Sequence, residues 1–226
     1  MTGYDAFISY SHRADGRLAP ALQAGLHQFA KPWYRLRALR IFRDDASLSA
    51  SPELWRSIES ALASARWFVL LACPEAAASE WIAREVTWWL DNRSADRFLI
   101  VVTGGVLEWE PKTPGLNQDQ ANALPPATLS RLLGEPRFVD LRWGRSVESL
   151  SLANVRFTEA VADVAAAVHG KPKDELLGED VRQHRRTRRV VRGAIVAAYH
   201  LAHYGSRRGY RGDAATRHCD RRAQSR

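Results

Sequence analysis

Between Asp5 and Val168 the apolar positions switch repeatedly between short continuous runs and a helical period. Asp5-Ala6-Phe7-Ile8-Ser9-Tyr10 reads as a short buried strand, followed by the polar loop Ser11-His12-Arg13-Ala14-Asp15-Gly16. Leu18, Leu22, Leu26 and Phe29 then recur at helical spacing, with Pro32 as a stop. Leu39–Phe42 is a second strand candidate and runs into the loop Arg43–Ala50. Ser51-Pro52-Glu53 has the makings of a helix start: a capping hydroxyl, a proline tolerated at the first position, and an acid favoured by the helix dipole.

Trp67–Ala72 is apolar at every position, as a central parallel strand covered on both faces must be. Ser79 is placed to cap a helix through about Asn92, with Ile82, Val86, Trp89 and Leu90 as its apolar stripe. Phe98–Val102 is a fourth strand, Arg137–Asp140 a short fifth, and Phe157, Val161, Val164 and Val168 mark a closing helix that Gly170 ends. Strand and helix alternate five times. The pattern predicts an α/β domain: a flavodoxin-like, open, parallel five-stranded sheet with helices on both faces.

Charge separates two regions. Of the 226 residues, those from Val181 onward hold thirteen arginines against Asp213 and Asp220, a net +11. The remainder therefore carries −3 of the chain's +8, and the basic character belongs to the tail. The predicted organisation is a domain over 1–168, a charged linker over 169–189 and a basic tail over 190–226. The globular part gives no basis for specific nucleic-acid binding. Cys73 and Cys219 lack metal-ligand spacing, so Cys73 reads as a buried free thiol in a reducing compartment, and the sequence reads as cytoplasmic.

Several activities lack their residues. A receiver domain needs an aspartate at the end of the third strand, where this chain has Ala72-Cys73-Pro74. Neither a dinucleotide fingerprint, a P-loop, a serine-hydrolase elbow nor a zinc-protease helix motif occurs.

Three segments, in order, carry a resemblance. Tyr4–Ser11 resembles the first signature box of Toll/interleukin-1 receptor (TIR) domains, Phe42-Arg43-Asp44-Asp45 their second box, and Ser79–Val86 the helix bearing the glutamate of NAD+-cleaving members. The loop Ala46–Pro52 departs from the Pro-Gly pair common there. The resemblance implies a TIR fold over residues 1 to about 168, with Glu85 as the catalytic carboxylate. Ser9, Tyr10, Ser11, His12, Arg43, Asp44 and Trp81 are the implied substrate-binding residues. NAD+ enters as substrate, with no cofactor or metal, and other TIR domains are the implied partners through self-association, in bacterial defence or stress signalling. The alternative is a non-catalytic module acting through TIR–TIR contacts.

Cleaving the nicotinamide–ribose bond builds positive charge on the ribose, which one well-placed carboxylate can stabilise. Arg43 could meet a phosphate bidentately, and Trp81 could pack on a flat ring. For the tail there are three accounts: a solvated disordered segment, an anionic-membrane contact, or a shifted coding frame beyond about Ala198 that truncates a membrane-anchored protein.

Overall fold

A computed structural model of the chain describes residues 3–29, 39–43, 52–107, 121–129, 131–132 and 138–178. Contacts divide the chain into Met1–Asp180 and Val181–Arg226, and the second unit, with the whole basic tail, lies outside the described residues.

Five parallel strands form one sheet: β1 (Tyr4–Ser9), β2 (Ile41–Arg43), β3 (Ala65–Ala72), β4 (Phe98–Val102) and β5 (Phe138–Asp140). Their spatial order is β2-β1-β3-β4-β5, the doubly wound flavodoxin-like arrangement that the alternating pattern implied. The helices are α1 (His12–Asp15), α2 (Leu18–Gln28), α3 (Pro52–Ser64), α4 (Pro74–Ala77), α5 (Glu80–Asn92), α6 (Pro126–Leu129) and α7 (Val155–His169).

Strands β1 to β4 feed both faces. On one face Ile8, Val69, Leu71 and Val101 pack beneath α2 and α7, represented by Leu22, Leu26, Phe157 and Val161. Gly25 permits the close approach of those two helices, since a Cβ there would stand 2.8 Å from Val161 Cγ2. On the other face Phe7, Phe68, Leu70 and Ile100 pack beneath α3 and α5, through Ile58, Leu62, Ile82, Val86 and Trp89. The register aligns Phe42, Phe7, Phe68 and Phe98 into a row of stacked rings crossing four strands, with neighbouring centroids 5.2–5.6 Å apart.

Local chemistry explains the helix ends. Ser79 Oγ accepts from Ile82 N, which caps α5, and Asn154 Oδ1 accepts from Phe157 N, which caps α7. Gly170 closes α7 in the left-handed conformation at φ 67°. Two features depart from the pattern reading. The segment after β1, expected to be a loop, forms α1, because Ser11 caps it through Ala14 N. The domain also runs past 168: the chain turns back into helix after Pro172, and Leu176 is buried in the α2/α7 core. The first part of the expected linker is therefore domain.

Candidate active site

In α5 the buried positions are Ile82, Glu85, Val86 and Trp89, an i, i+3, i+4, i+7 stripe whose second member is an acid. Glu85 thus joins Ile82, Val86 and Trp89 of the apolar stripe that the sequence marked. A carboxylate at a core position is costly to bury unless something holds it. Here the holder is Ser9. Residues alternate along β1, so Phe7 and Ser9 face α5 while Ala6, Ile8 and Tyr10 face α2. Ser9 Oγ donates to Glu85 Oε2 at 2.5 Å. Ser9 is fully buried and Glu85 is 1% exposed. This pair sits where β1 ends, the rim at which open parallel sheets take ligands.

The other expected site residues divide around it. Trp81, one turn before Glu85, is 37% exposed and meets Trp55 of α3 edge-on at 5.8 Å, while the Arg84 guanidinium lies 3.7 Å over the Trp55 ring. Ser11 serves as the α1 cap. Tyr10 and Arg43 lie on the opposite face from Glu85: Arg43 donates to Tyr10 Oη at 2.7 Å and to Gln23 Oε1 at 3.0 Å. His12 is exposed, its ring 4.4 Å from that of Tyr10. Asp44 lies outside the described residues. The fold thus brings together Ser9 and Glu85, and directs Tyr10, His12 and Arg43 to the other side of the sheet.

Sequence reasoning missed a second polar centre at the same rim. Asp15, at the end of α1, is fully buried. It accepts from Cys73 Sγ at 3.4 Å, Thr103 Oγ1 at 2.9 Å and Arg145 Nη2 at 3.1 Å. Those partners close the ends of β3 and β4 and the 3₁₀ turn Arg142–Ser146 after β5. Desolvation pushes the Asp15 carboxyl above its ordinary value and outweighs the attraction of Arg145 and the three hydrogen bonds. Arg145 is raised as well: desolvation acts downward on it, but the charges of Asp15 and Cys73 together prevail. The Asp15 side chain is fully enclosed, while that of Arg145 is 30% exposed. Desolvation and the neighbouring Asp15 charge push the Cys73 thiol up to about 11.

A groove of about 540 Å³ opens beside α1, but Ser9, Glu85 and Trp81 are not among its walls, so it is separate from the Ser9–Glu85 rim. Among the described residues no group of three or more His, Cys, Asp or Glu is arranged to hold a metal, and no helix is long and apolar enough to cross a membrane.

The doubly wound parallel sheet is the TIR fold that the three ordered segments of the sequence implied. The TIR domain family model matches residues 6–142, and the chain belongs to that family. It is also 49% identical, over 192 residues, to a protein of Actinoplanes sp. named NAD(+) hydrolase ApTIR. The match covers 85% of this chain and 27% of that relative, so the chain spans about a quarter of the relative's length.

Proposed function

We propose that this TIR domain cleaves NAD+ at the nicotinamide–ribose bond, with Glu85 as the carboxylate that stabilises the reacting ribose. The carrying observation is the acid in the core stripe of α5, 1% exposed and held at 2.5 Å by Ser9 at the sheet's ligand-bearing rim. The 49% identity to a protein named as an NAD(+) hydrolase supports it.

The chemistry follows from the charge. As the bond from C1′ to the pyridine nitrogen breaks, its electron pair leaves with nicotinamide, which departs neutral and needs no proton. Positive charge spreads over C1′ and the ring oxygen. Glu85 exchanges the Ser9 hydroxyl for ribose hydroxyls and faces that charge. Water then attacks C1′ and loses a proton, giving ADP-ribose; attack by an adenine nitrogen instead gives a cyclic product. Removing such a carboxylate costs on the order of 10²–10³ in rate. NAD+ is substrate here, and no other cofactor is invoked.

Burial sets the condition for activity. A carboxylate 1% exposed reaches substrate only after the rim opens, which suits a domain that turns on when copies self-associate. The test is nicotinamide release by the chain across a concentration series and on a clustering scaffold. Turnover that rises with clustering and disappears in a folded Glu85→Ala variant supports the enzyme. Zero turnover at every concentration, scaffold included, overturns it and leaves a domain that works by TIR–TIR contact.

The cytoplasmic setting belongs to the same proposal, since Cys73 is a buried free thiol. So does a contact of the Arg-rich tail with anionic membranes: sedimentation with phosphatidylserine vesicles, lost at high salt, supports that contact, and equal sedimentation with neutral vesicles rules it out.

A further inference from the structure

We propose that the groove beside α1 is a second ligand site, separate from the Ser9–Glu85 rim, and that it takes a phosphate-bearing nucleotide. The groove is bounded by α1, the first turns of α2 and the segment from Gly144 to Leu150. Its volume of about 540 Å³ falls within the 300–1,000 Å³ typical of small-ligand sites.

Three kinds of wall meet there, and together they match the three parts of a nucleotide. Arg13 and Arg17 supply guanidinium groups, the side chains best shaped for bidentate grip on phosphate, and Arg145 borders them. Arg145 is already held: its Nε and Nη2 donate to Asp15 Oδ1 at 3.3 and 3.1 Å, and Glu75 meets the same Nη2 at 3.8 Å, while 30% of the side chain stays open. Arg13 and Arg17 are exposed and make no ion pair among the described residues; Arg17 is oriented by a bond to the Arg145 carbonyl. Glu148 is a carboxylate that repels a bare anion and accepts from a ribose diol. Pro20, Ala21, Val147 and Leu150, all partly exposed, form an apolar stretch on which a base can lie.

ADP-ribose carries all three parts and is what the proposed reaction releases, so the choice of that nucleotide rests on the reading above. The site itself does not, and binding is measured in a chain unable to cleave NAD+. Calorimetric titration of the whole 226-residue chain carrying Glu85→Ala uses ADP-ribose, adenosine and inorganic phosphate as separate probes. ADP-ribose is expected to bind, with adenosine and phosphate each at least tenfold weaker. Arg13→Ala with Arg17→Ala, both at exposed positions, should weaken ADP-ribose at least tenfold without moving the melting temperature. Glu148→Gln should weaken ADP-ribose while leaving phosphate unchanged or tighter.

Three outcomes overturn the proposal: no ADP-ribose binding, binding that ignores all these substitutions (the arginine tail or the Glu85 rim then being the binder), or phosphate binding as tightly as ADP-ribose. If nicotinamide release is absent while the groove binds, the catalytic reading alone has failed.

Discussion

Two buried acids stand at the same end of one sheet and are held in different ways. Asp15 is surrounded by a thiol, a hydroxyl and a guanidinium that arrive from three separate parts of the chain. Glu85 occupies a core position of its own helix and receives the hydroxyl of Ser9 from β1. The Asp15 arrangement ties α1, β3, β4 and the turn after β5 together at the rim. A carboxylate bound to a cation is already compensated and has little left to offer a substrate. A carboxylate held by a hydroxyl can trade it for a sugar hydroxyl at small cost. Burial alone therefore does not distinguish a brace from a reactive group; the identity of the partner does.

The largest expected effect separates the two in stability. Asp15→Ala leaves the Cys73 and Thr103 donors and the Arg145 charge without their acceptor. Because Arg145 is partly exposed, the cost is discounted to about 2–4 kcal/mol. Glu85→Gln keeps shape and an acceptor for Ser9, so its cost is expected below about 1 kcal/mol while nicotinamide release is lost. Urea unfolding of both variants decides this. Equal destabilisation would mean that Glu85 is as structural as Asp15.

A smaller effect is the slope of stability with pH. The folded carboxyl of Asp15 lies above its ordinary 3.8, so from pH 3.8 upward the unfolded chain releases this proton before the folded one does. The folded state then binds more protons, and the Asp15 contribution to stability falls as pH rises through that window, after which it is flat. Asp140, lowered first by its bond from Arg142, contributes in the opposite sense: its stabilisation is present above the ordinary value and is lost as pH falls. Subtracting the Asp15→Asn curve from the parent curve removes Asp140 and isolates Asp15. A difference curve that rises with pH would contradict the dominance of desolvation.

Ser9→Ala comes next in size. It deprives Glu85 of the hydroxyl that positions it before substrate arrives, so nicotinamide release should drop about tenfold in kcat/KM, equivalent to roughly 1.4 kcal/mol. An unchanged rate would make the bond between Ser9 and Glu85 irrelevant to catalysis and weaken the reading of the site.

Much of this architecture was legible because its signals are local. The short buried run of β1, the continuous apolar run of β3 and the Ser79 cap each lie within a few neighbouring residues, and they place these strands and α5 where the structure has them. The motifs named Ser9 and Glu85, which the structure bonds to one another although they are 76 residues apart. The Asp15 centre carried no such mark. Its partners lie 58, 88 and 130 residues away, and from the sequence Asp15 is one polar residue in a polar segment. The separation of Tyr10 and Arg43 from Glu85 was available in principle, since the period of two in β1 turns Tyr10 away from the face that Ser9 shares with α5. Only the Ser11 cap hinted that a helix, rather than a loop, follows β1.

The smallest effect concerns Cys73, which reports on the brace from inside. With its thiol pushed up to about 11, only about one molecule in a thousand carries the thiolate at pH 8. A thiol with an ordinary value near 8.5 would carry it in roughly a quarter of molecules. Cys73 is also fully buried, so iodoacetamide should reach it in the native chain only through opening of the rim. Asp15→Asn removes the neighbouring negative charge and loosens the brace, and both changes speed alkylation; Glu85→Gln does neither. Peptide mass spectrometry after timed labelling reads Cys73 alone. The expected order is Asp15→Asn fastest, with parent and Glu85→Gln slow and indistinguishable. Acceleration by Glu85→Gln equal to that of Asp15→Asn would join the two acids into one network and remove the distinction between brace and reactive group.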